Sequence, residues 1–197
     1  MRCLRIITVA ALAVAAVIAS GCRVQRGAHN HAQAQILYDS TTSDPRTFNP
    51  VLVTDAASGE AVDNLFDGLV RINPRTTLPE PALAKSWEIS EGGKRITFHL
   101  RHDVKWSDGK PFLAHDVVFT LHVIYDPHVP NIEQPGLMVD GKPIQLSAPD
   151  DYTVVMNLPR PFAPLLYAIG FPIIPAHILA PALKAGDFNH MWAINTP

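Results

Sequence analysis

The stretch from Leu78 to Asp126 constrains this chain more than any other. Within it Ile96, Phe98 and Leu100 alternate with Thr97, His99 and Arg101, the period of two that buries one face of a β-strand and wets the other. Glu91-Gly92-Gly93-Lys94 precedes the strand and supplies a turn, because glycine enters the left-handed backbone region without steric penalty. Ser107-Asp108-Gly109-Lys110 supplies another, after which Val117, Val118, Leu121 and Ile124 fall near helical spacing. The stretch therefore reads as strand, tight turn, strand, second tight turn and helix, a unit that carries no chemistry of its own.

The 197 residues suffice for one ordinary domain or for part of a larger one. With 47% apolar and 17% charged residues, most of the chain is expected to fold. Its formal net charge is −2, with no lysine or arginine block after the N-terminus, so nothing suggests a nucleic-acid footprint.

Residues 1–21 read as an export signal: Arg2 and Arg5, an apolar run from Ile6 to Ala19, then small residues. Cys3 leaves with the signal, so the mature chain keeps one cysteine and forms no internal disulfide. Ala19-Ser20-Gly21-Cys22 resembles a bacterial lipobox, which implies that Cys22 is lipidated and becomes the mature N-terminus. The departure is Ala19, where that motif prefers leucine, and a plain signal peptide with an incidental cysteine is the alternative. Residues 22–35 are polar and read as a tether. His29 and His31 lie in it without a third ligand, so they are read as linker residues and not as a metal site.

Ile36-Leu37-Tyr38 is expected to open the folded part as a strand. A proline-punctuated loop follows, then a helix carrying Val62, Leu65, Phe66 and Leu69, with Ser58 as its N-cap and Gly68 near its end. Pro127 to Pro143 is expected to be irregular, with a turn at Asp140-Gly141. Ile144 and Leu146, a turn at Ala148-Pro149-Asp150-Asp151, and the alternating Tyr152 to Leu158 read as a second hairpin. Phe162 to Phe171 suggests a short helix, and a further one around His177 and Leu179 is expected to stop at Pro181.

Catalytic signatures are lacking: the sequence holds no G-x-S-x-G, H-E-x-x-H, C-x-x-C or phosphate-cradling glycine loop. His115 and His122 can share a helix face without further ligands, and His99 and His102 straddle a strand end toward solvent. Asp103 and Asp108 belong to turns and Asp116 to a helix start. Trp87 and Trp106 read as hairpin packing. No metal or cofactor is implied. These residues alone describe an exported α/β domain suited to binding rather than catalysis.

Several pieces, in order, carry a resemblance. They are Pro45-Arg46-Thr47-Phe48-Asn49-Pro50, Asn64-Leu65-Phe66-Asp67-Gly68-Leu69-Val70 and Pro81-Ala82-Leu83-Ala84-Lys85-Ser86-Trp87-Glu88. Thr97-Phe98-His99-Leu100-Arg101, Val104-Lys105-Trp106-Ser107-Asp108-Gly109, His115-Asp116-Val117-Val118-Phe119 and Asp151-Tyr152-Thr153-Val154 follow. Together they resemble the family 5 extracellular solute-binding proteins, the dipeptide- and oligopeptide-binding components of ABC importers.

The resemblance implies a mixed α/β, type II periplasmic-binding-protein-like fold, here as part of a first lobe with a small β-rich subdomain. First-lobe sequence is expected at 36–70, the subdomain at 71–162 and a return to the first lobe at 163–197. Since family members are far longer, a fragment or truncated reading frame is expected. The implied function is capture of a peptide between two lobes, largely through backbone hydrogen bonds, and delivery to ABC permease subunits. A receptor for nickel, haem or another small solute is the alternative from the same family; an exported hydrolase is disfavoured. The implied location is the cell envelope, periplasmic or on the outer face of the cytoplasmic membrane, held by a lipid anchor. Thr54, Asp55, Ala56, Ala57 and Ser58 are the ligand-contacting residues the resemblance implies. Leu113 stands where the family has a hydroxyl residue, so the cap of the helix that follows depends on Asp116.

Overall fold

The structure, a computed structural model, describes residues 43–193, which fall in one compact unit. The proposed leader and tether, Cys22, His29, His31, the Ile36-Leu37-Tyr38 strand and the last four residues lie outside the described part. The first elements are α1 (Ala56–Asp63), β1 (Val70–Ile72), β2 (Pro79–Pro81), β3 (Ala84–Ser90) and β4 (Arg95–Leu100). They are followed by α2 (Ala114–Tyr125), β5 (Met138–Val139), β6 (Lys142–Pro143), β7 (Gln145–Asp150), β8 (Thr153–Asn157), α3 (Leu165–Ala168) and α4 (Ala176–Ala185).

Strand β4 behaves as its alternation requires. Ile96, Phe98 and Leu100 are buried, while Arg95, Thr97 and His99 are only half so. It sits inside an antiparallel sheet of order β3-β4-β8-β7, with Ile96 opposite Met156 and Phe98 opposite Val154. Val154 and Met156 are also fully buried, so both central strands turn one apolar face to the core. Helix α2 packs on β7, β8 and α4 and contributes Val117, Leu121 and Ile124 to the core cluster, which runs on to Leu165, Ile173 and Phe188.

Both turns of the central unit form as read. Gly92 has φ +63° in the first, and Gly109 has φ +86° in the second, where the Trp106 N–H donates to the Lys110 carbonyl at 2.8 Å. Asp140-Gly141 turns the chain between β5 and β6. The Tyr125 hydroxyl ties that region to α2, donating to the Leu137 carbonyl at 2.9 Å and accepting the Ile144 N–H at 3.1 Å.

Four local expectations are corrected. Ser58 is not the cap of α1: Asp55 is, accepting the Ser58 N–H at 2.9 Å, because a carboxylate three residues earlier reaches the same free donor. The helix ends at Asp63, leaving Leu65 exposed and putting Gly68 and buried Leu69 beyond it. The second hairpin turns at Asp151-Tyr152. Strand β7 runs to Asp150 through an irregularity after Ser147 that accommodates Pro149, and Asp150 Oδ1 accepts the Tyr152 N–H at 2.8 Å. Helix α4 continues past Pro181 to a left-handed cap at Gly186, φ +82°. Pro181 lies on the exposed side, where water can replace the bond it cannot donate, while Leu179 anchors the buried side.

Segments far apart in sequence are joined at the base of this unit. The Phe48 N–H donates to the Trp192 carbonyl and the Ile173 N–H to the Asp67 carbonyl, both at 2.9 Å, and Thr47 bridges Ala193. Gly68 lies so close to the other segment that a Cβ would meet the Gly170 carbonyl oxygen at 2.5 Å. Gly68→Ala is therefore expected to destabilise the fold by about 1–3 kcal/mol through overpacking against backbone, measured by urea unfolding; an unchanged midpoint would show that the two segments are not in close contact.

Candidate functional site

The residues Thr54 to Ser58 form the entry to α1, and their roles divide. Ser58 is fully buried: its hydroxyl oxygen accepts the Arg46 N–H at 2.9 Å and the Thr47 N–H at 3.2 Å and donates to Asp55 Oδ2 at 2.8 Å. Ala57 is buried beside it, Asp55 is half-buried, and Thr54 and Ala56 are exposed. The segment thus turns Thr54 and Ala56 outward while Ser58 fastens it to the preceding loop. Asp55 is held below the ordinary carboxylate range, first by the Ser58 N–H, then by the Ser58 hydroxyl, with Arg46 adding a smaller attraction.

A separate cleft of about 770 Å³ opens beyond the other end of α1. Phe66 and Trp192 lie in its wall with ring centroids 5.8 Å apart, and Trp106 meets Phe112 edge-on at 6.0 Å. Phe48, Leu65 and Ile178 line it and remain exposed, with Asp63, Asp67 and Lys105 as its charged groups. None of Thr54 to Ser58 lines this cleft; α1 links the two features, one at each end.

Asp116 holds the walls of the cleft in place. Its buried carboxylate accepts the Trp106 indole N–H at 3.1 Å, the Leu113 N–H at 3.0 Å and the Ala176 N–H at 2.9 Å. Leu113 offers no side-chain cap, so the carboxylate serves the start of α2 as the sequence requires and also fixes α4. One turn on, the Thr120 hydroxyl donates to the Asp116 carbonyl at 2.7 Å and accepts the Ile174 N–H at 3.1 Å. Sequence reasoning placed Asp116 at a helix start but missed its links to Trp106 and Ala176. The only local signal was an acidic residue at the third helical position with an apolar residue in the cap.

The remaining candidates do not converge. Asp103 pairs with Arg101 at 2.8 Å, and Asp108 contacts His177 at 2.8 Å. His115 and His122 are exposed, and no group of three metal-ligating side chains occurs among the described residues. His99 is half-buried, 3.7 Å from Glu88. His102, though exposed, stacks on Tyr152 at 3.9 Å instead of simply facing solvent. Trp87 packs against Phe98 at 6.4 Å, as hairpin packing demands. Among the described residues no helix is long and apolar enough to cross a membrane.

This arrangement of sheet and helices is part of the type II periplasmic-binding-protein fold. The oligopeptide-binding protein AppA from Bacillus subtilis, solved with a nonapeptide, superposes with TM-score 0.65 at 25% identity, over 77% of this chain and 30% of that one. The ABC transporter substrate-binding protein CtaP from Listeria monocytogenes does so with TM-score 0.64 at 32% identity, over 71% and 28%. Residues 79–195 match the bacterial extracellular solute-binding proteins, family 5 Middle, and the chain belongs to that family. A dipeptide-binding protein of Escherichia coli is 37% identical over 177 residues, covering 78% of this chain and 32% of its own. A probable deoxycholate-binding periplasmic protein of the same organism is 32% identical over 173 residues. The chain thus spans about a third of the length of these curated relatives.

Two outcomes test these assignments. Asp116→Asn leaves one of three buried N–H donors facing an amide NH2, and is expected to destabilise the protein by about 2–3 kcal/mol in urea unfolding; an unchanged stability would remove the carboxylate from its central role. Because the folded-state pKa of Asp55 lies below its reference value of 3.8, its contribution is complete above that value and is lost as pH falls through the lower folded value. Asp55→Asn is therefore expected to flatten the decline in stability below about pH 4, followed by thermal melts across an acid series.

Proposed function

We propose that this chain is part of a lipid-anchored receptor that captures di- or oligopeptides at the cell envelope and delivers them to an ABC permease. The observation that carries the proposal is membership of the family together with the 37% identity to a protein named for dipeptide binding. Cys22 is the anchor, reached through the tether at residues 22–35. The contacts that join Thr47, Phe48, Asp67 and Gly68 to the segment from Gly170 to Ala193 support grouping residues 36–70 with 163–197 as first-lobe sequence. Residues 71–162 then form the β-rich subdomain. Thr54, Asp55 and Ala56 contact ligand, whereas Ala57 and Ser58 hold them in position from the buried side. The protein acts by binding, without turnover, and closure of a second lobe supplies most of the affinity.

A receptor for another small solute is the second reading. It is favoured by the similarity to NikZ from Campylobacter jejuni, solved with Ni(L-His), at TM-score 0.61 and 27% identity.

Calorimetry decides between the two. The product of the complete reading frame is expected to bind peptides, and residues 22–197 alone to bind them far more weakly; micromolar or tighter peptide binding by residues 22–197 would overturn the two-lobe account. Ala56→Arg in the complete protein is expected to weaken peptide binding tenfold or more, about 1.4 kcal/mol, without lowering its melting temperature. Binding of nickel–histidine but no peptide would favour the second reading, and hydrolysis of a peptide or ester panel would revive an enzyme. Cys22→Ser is expected to abolish incorporation of labelled fatty acid.

A further inference from the structure

At the base of the unit the chain at Trp192 and Ala193 runs antiparallel to the loop before α1. The Phe48 N–H donates to the Trp192 carbonyl at 2.9 Å, and Thr47 pairs with Ala193 as an antiparallel bridge. In an antiparallel ladder hydrogen bonds flank a pair of this kind on both sides. The Phe48 bond is one of them, and the register calls for its counterpart between residues 46 and 194. Side chains two positions apart point to the same face of a paired strand. That register therefore assigns position 194 to the face that carries Phe48.

Phe48 lines the cleft, and so do Trp192 and Ala193. Consecutive Cα atoms lie about 3.8 Å apart, so the residue after Ala193 leaves from the wall of the cleft itself. What the cleft lacks is apolar cover: Phe48, Leu65 and Ile178 line it while exposing 37%, 62% and 40% of their surface. Its charged groups, Asp63, Asp67 and Lys105, are exposed, which leaves the inner wall to aromatic and aliphatic side chains. A cluster of exposed apolar side chains marks an interaction surface. Ile194 is the apolar side chain that covalent connection brings to it without an association step.

We propose that Ile194-Asn195-Thr196-Pro197 is a strap across the mouth of the cleft, with the Ile194 side chain packed on Phe48 and the Ile194 N–H donating to the Arg46 carbonyl. Burying Ile194 there removes apolar surface of both partners from water, which is the driving force for closure. The strap also acts on the entry to α1. The Arg46 N–H already donates to the Ser58 hydroxyl at 2.9 Å, so a bond to its carbonyl holds the same residue from the opposite side. Cover of the cleft and the position of the loop that Ser58 fastens are thereby linked through Arg46.

The test uses the full chain with its isoleucine methyl groups labelled for nuclear magnetic resonance. The Ile194 methyl signal, identified by its loss in Ile194→Val, is expected to show a nuclear Overhauser contact to the Phe48 ring. Ile194→Asp is expected to bare the cleft and raise the fluorescence of bound anilinonaphthalenesulfonate severalfold. Absence of the Phe48 contact overturns the proposal, and dye binding unchanged in Ile194→Asp overturns the role as cover. A contact that appears only between labelled and unlabelled chains in a mixed sample makes the occupant a second copy and overturns the strap. Strong dye binding by the unsubstituted chain that the dipeptide Ala-Phe displaces makes the cleft a ligand pocket and overturns it likewise. Should Ile194→Asp fail to fold, the Overhauser contact in the unsubstituted chain decides alone.

Discussion

The buried carboxylate of Asp116 is the interaction on which the arrangement of helices and cleft depends. A buried carboxylate is strongly destabilising unless its oxygens are satisfied. Here three N–H groups from three separate segments satisfy them: the indole of Trp106, the backbone before α2 and the backbone at the start of α4. It also lies at the N-terminal ends of two helices, where their dipoles favour negative charge. One side chain thereby sets the position of a hairpin turn, a helix and the entry to another helix. Thr120, one turn further, repeats the link to the same segment through Ile174, so α4 cannot slide along α2 without breaking bonds at both residues.

The sheet is governed by a different constraint. Strand β4 pairs with β3 through a short turn but with β8 across a long intervening stretch that contains α2. Matching apolar faces make that non-local pairing specific, because a slip of one residue would put Ile96, Phe98, Val154 and Met156 on the wet side. Helix α2 then covers the buried face, and Tyr125 at its end ties down the loop region that its chain direction would otherwise leave free. Polar anchoring by Asp116 at its start and by Tyr125 at its end therefore holds the same helix whose apolar side packs on the sheet.

How much of this was legible in the sequence follows from the range of each interaction. The alternation in β4 and β8, the glycine turns and the spacing in α2 depend on near neighbours, and they form as read. Ser58 and Asp55 exchanged roles because both are good caps three residues apart, and the choice was made by Arg46 and Thr47, whose N–H groups need the Ser58 hydroxyl. Pro181 was overridden by the burial of Leu179 and the exposure of its own side of the helix. Resemblance drew attention to Thr54 to Ser58, but the cleft was not visible. Its walls, at Phe48, Phe66, Trp106, Ile178 and Trp192, are brought together only by the tertiary fold.

The two candidate features are mechanically related through α1. The entry to that helix is fastened by Ser58, and its far end leads into Asp67 and Gly68, which are held against Ile173 and Gly170. With both ends fixed to other segments, the short helix acts as a rigid spacer between the Thr54–Ala56 surface and the aromatic wall at Phe66 and Trp192. A displacement of the wall is transmitted to the loop only by moving α1 as a body, which would require breaking the Ser58 bonds to Arg46 and Thr47. The bond to Thr47 is buried and the bond to Arg46 partly so, so separating the former without water to replace it is costly. The scaffold thus holds the segment carrying the exposed Thr54 and Ala56 still, as the proposed recognition of a ligand there through backbone hydrogen bonds requires.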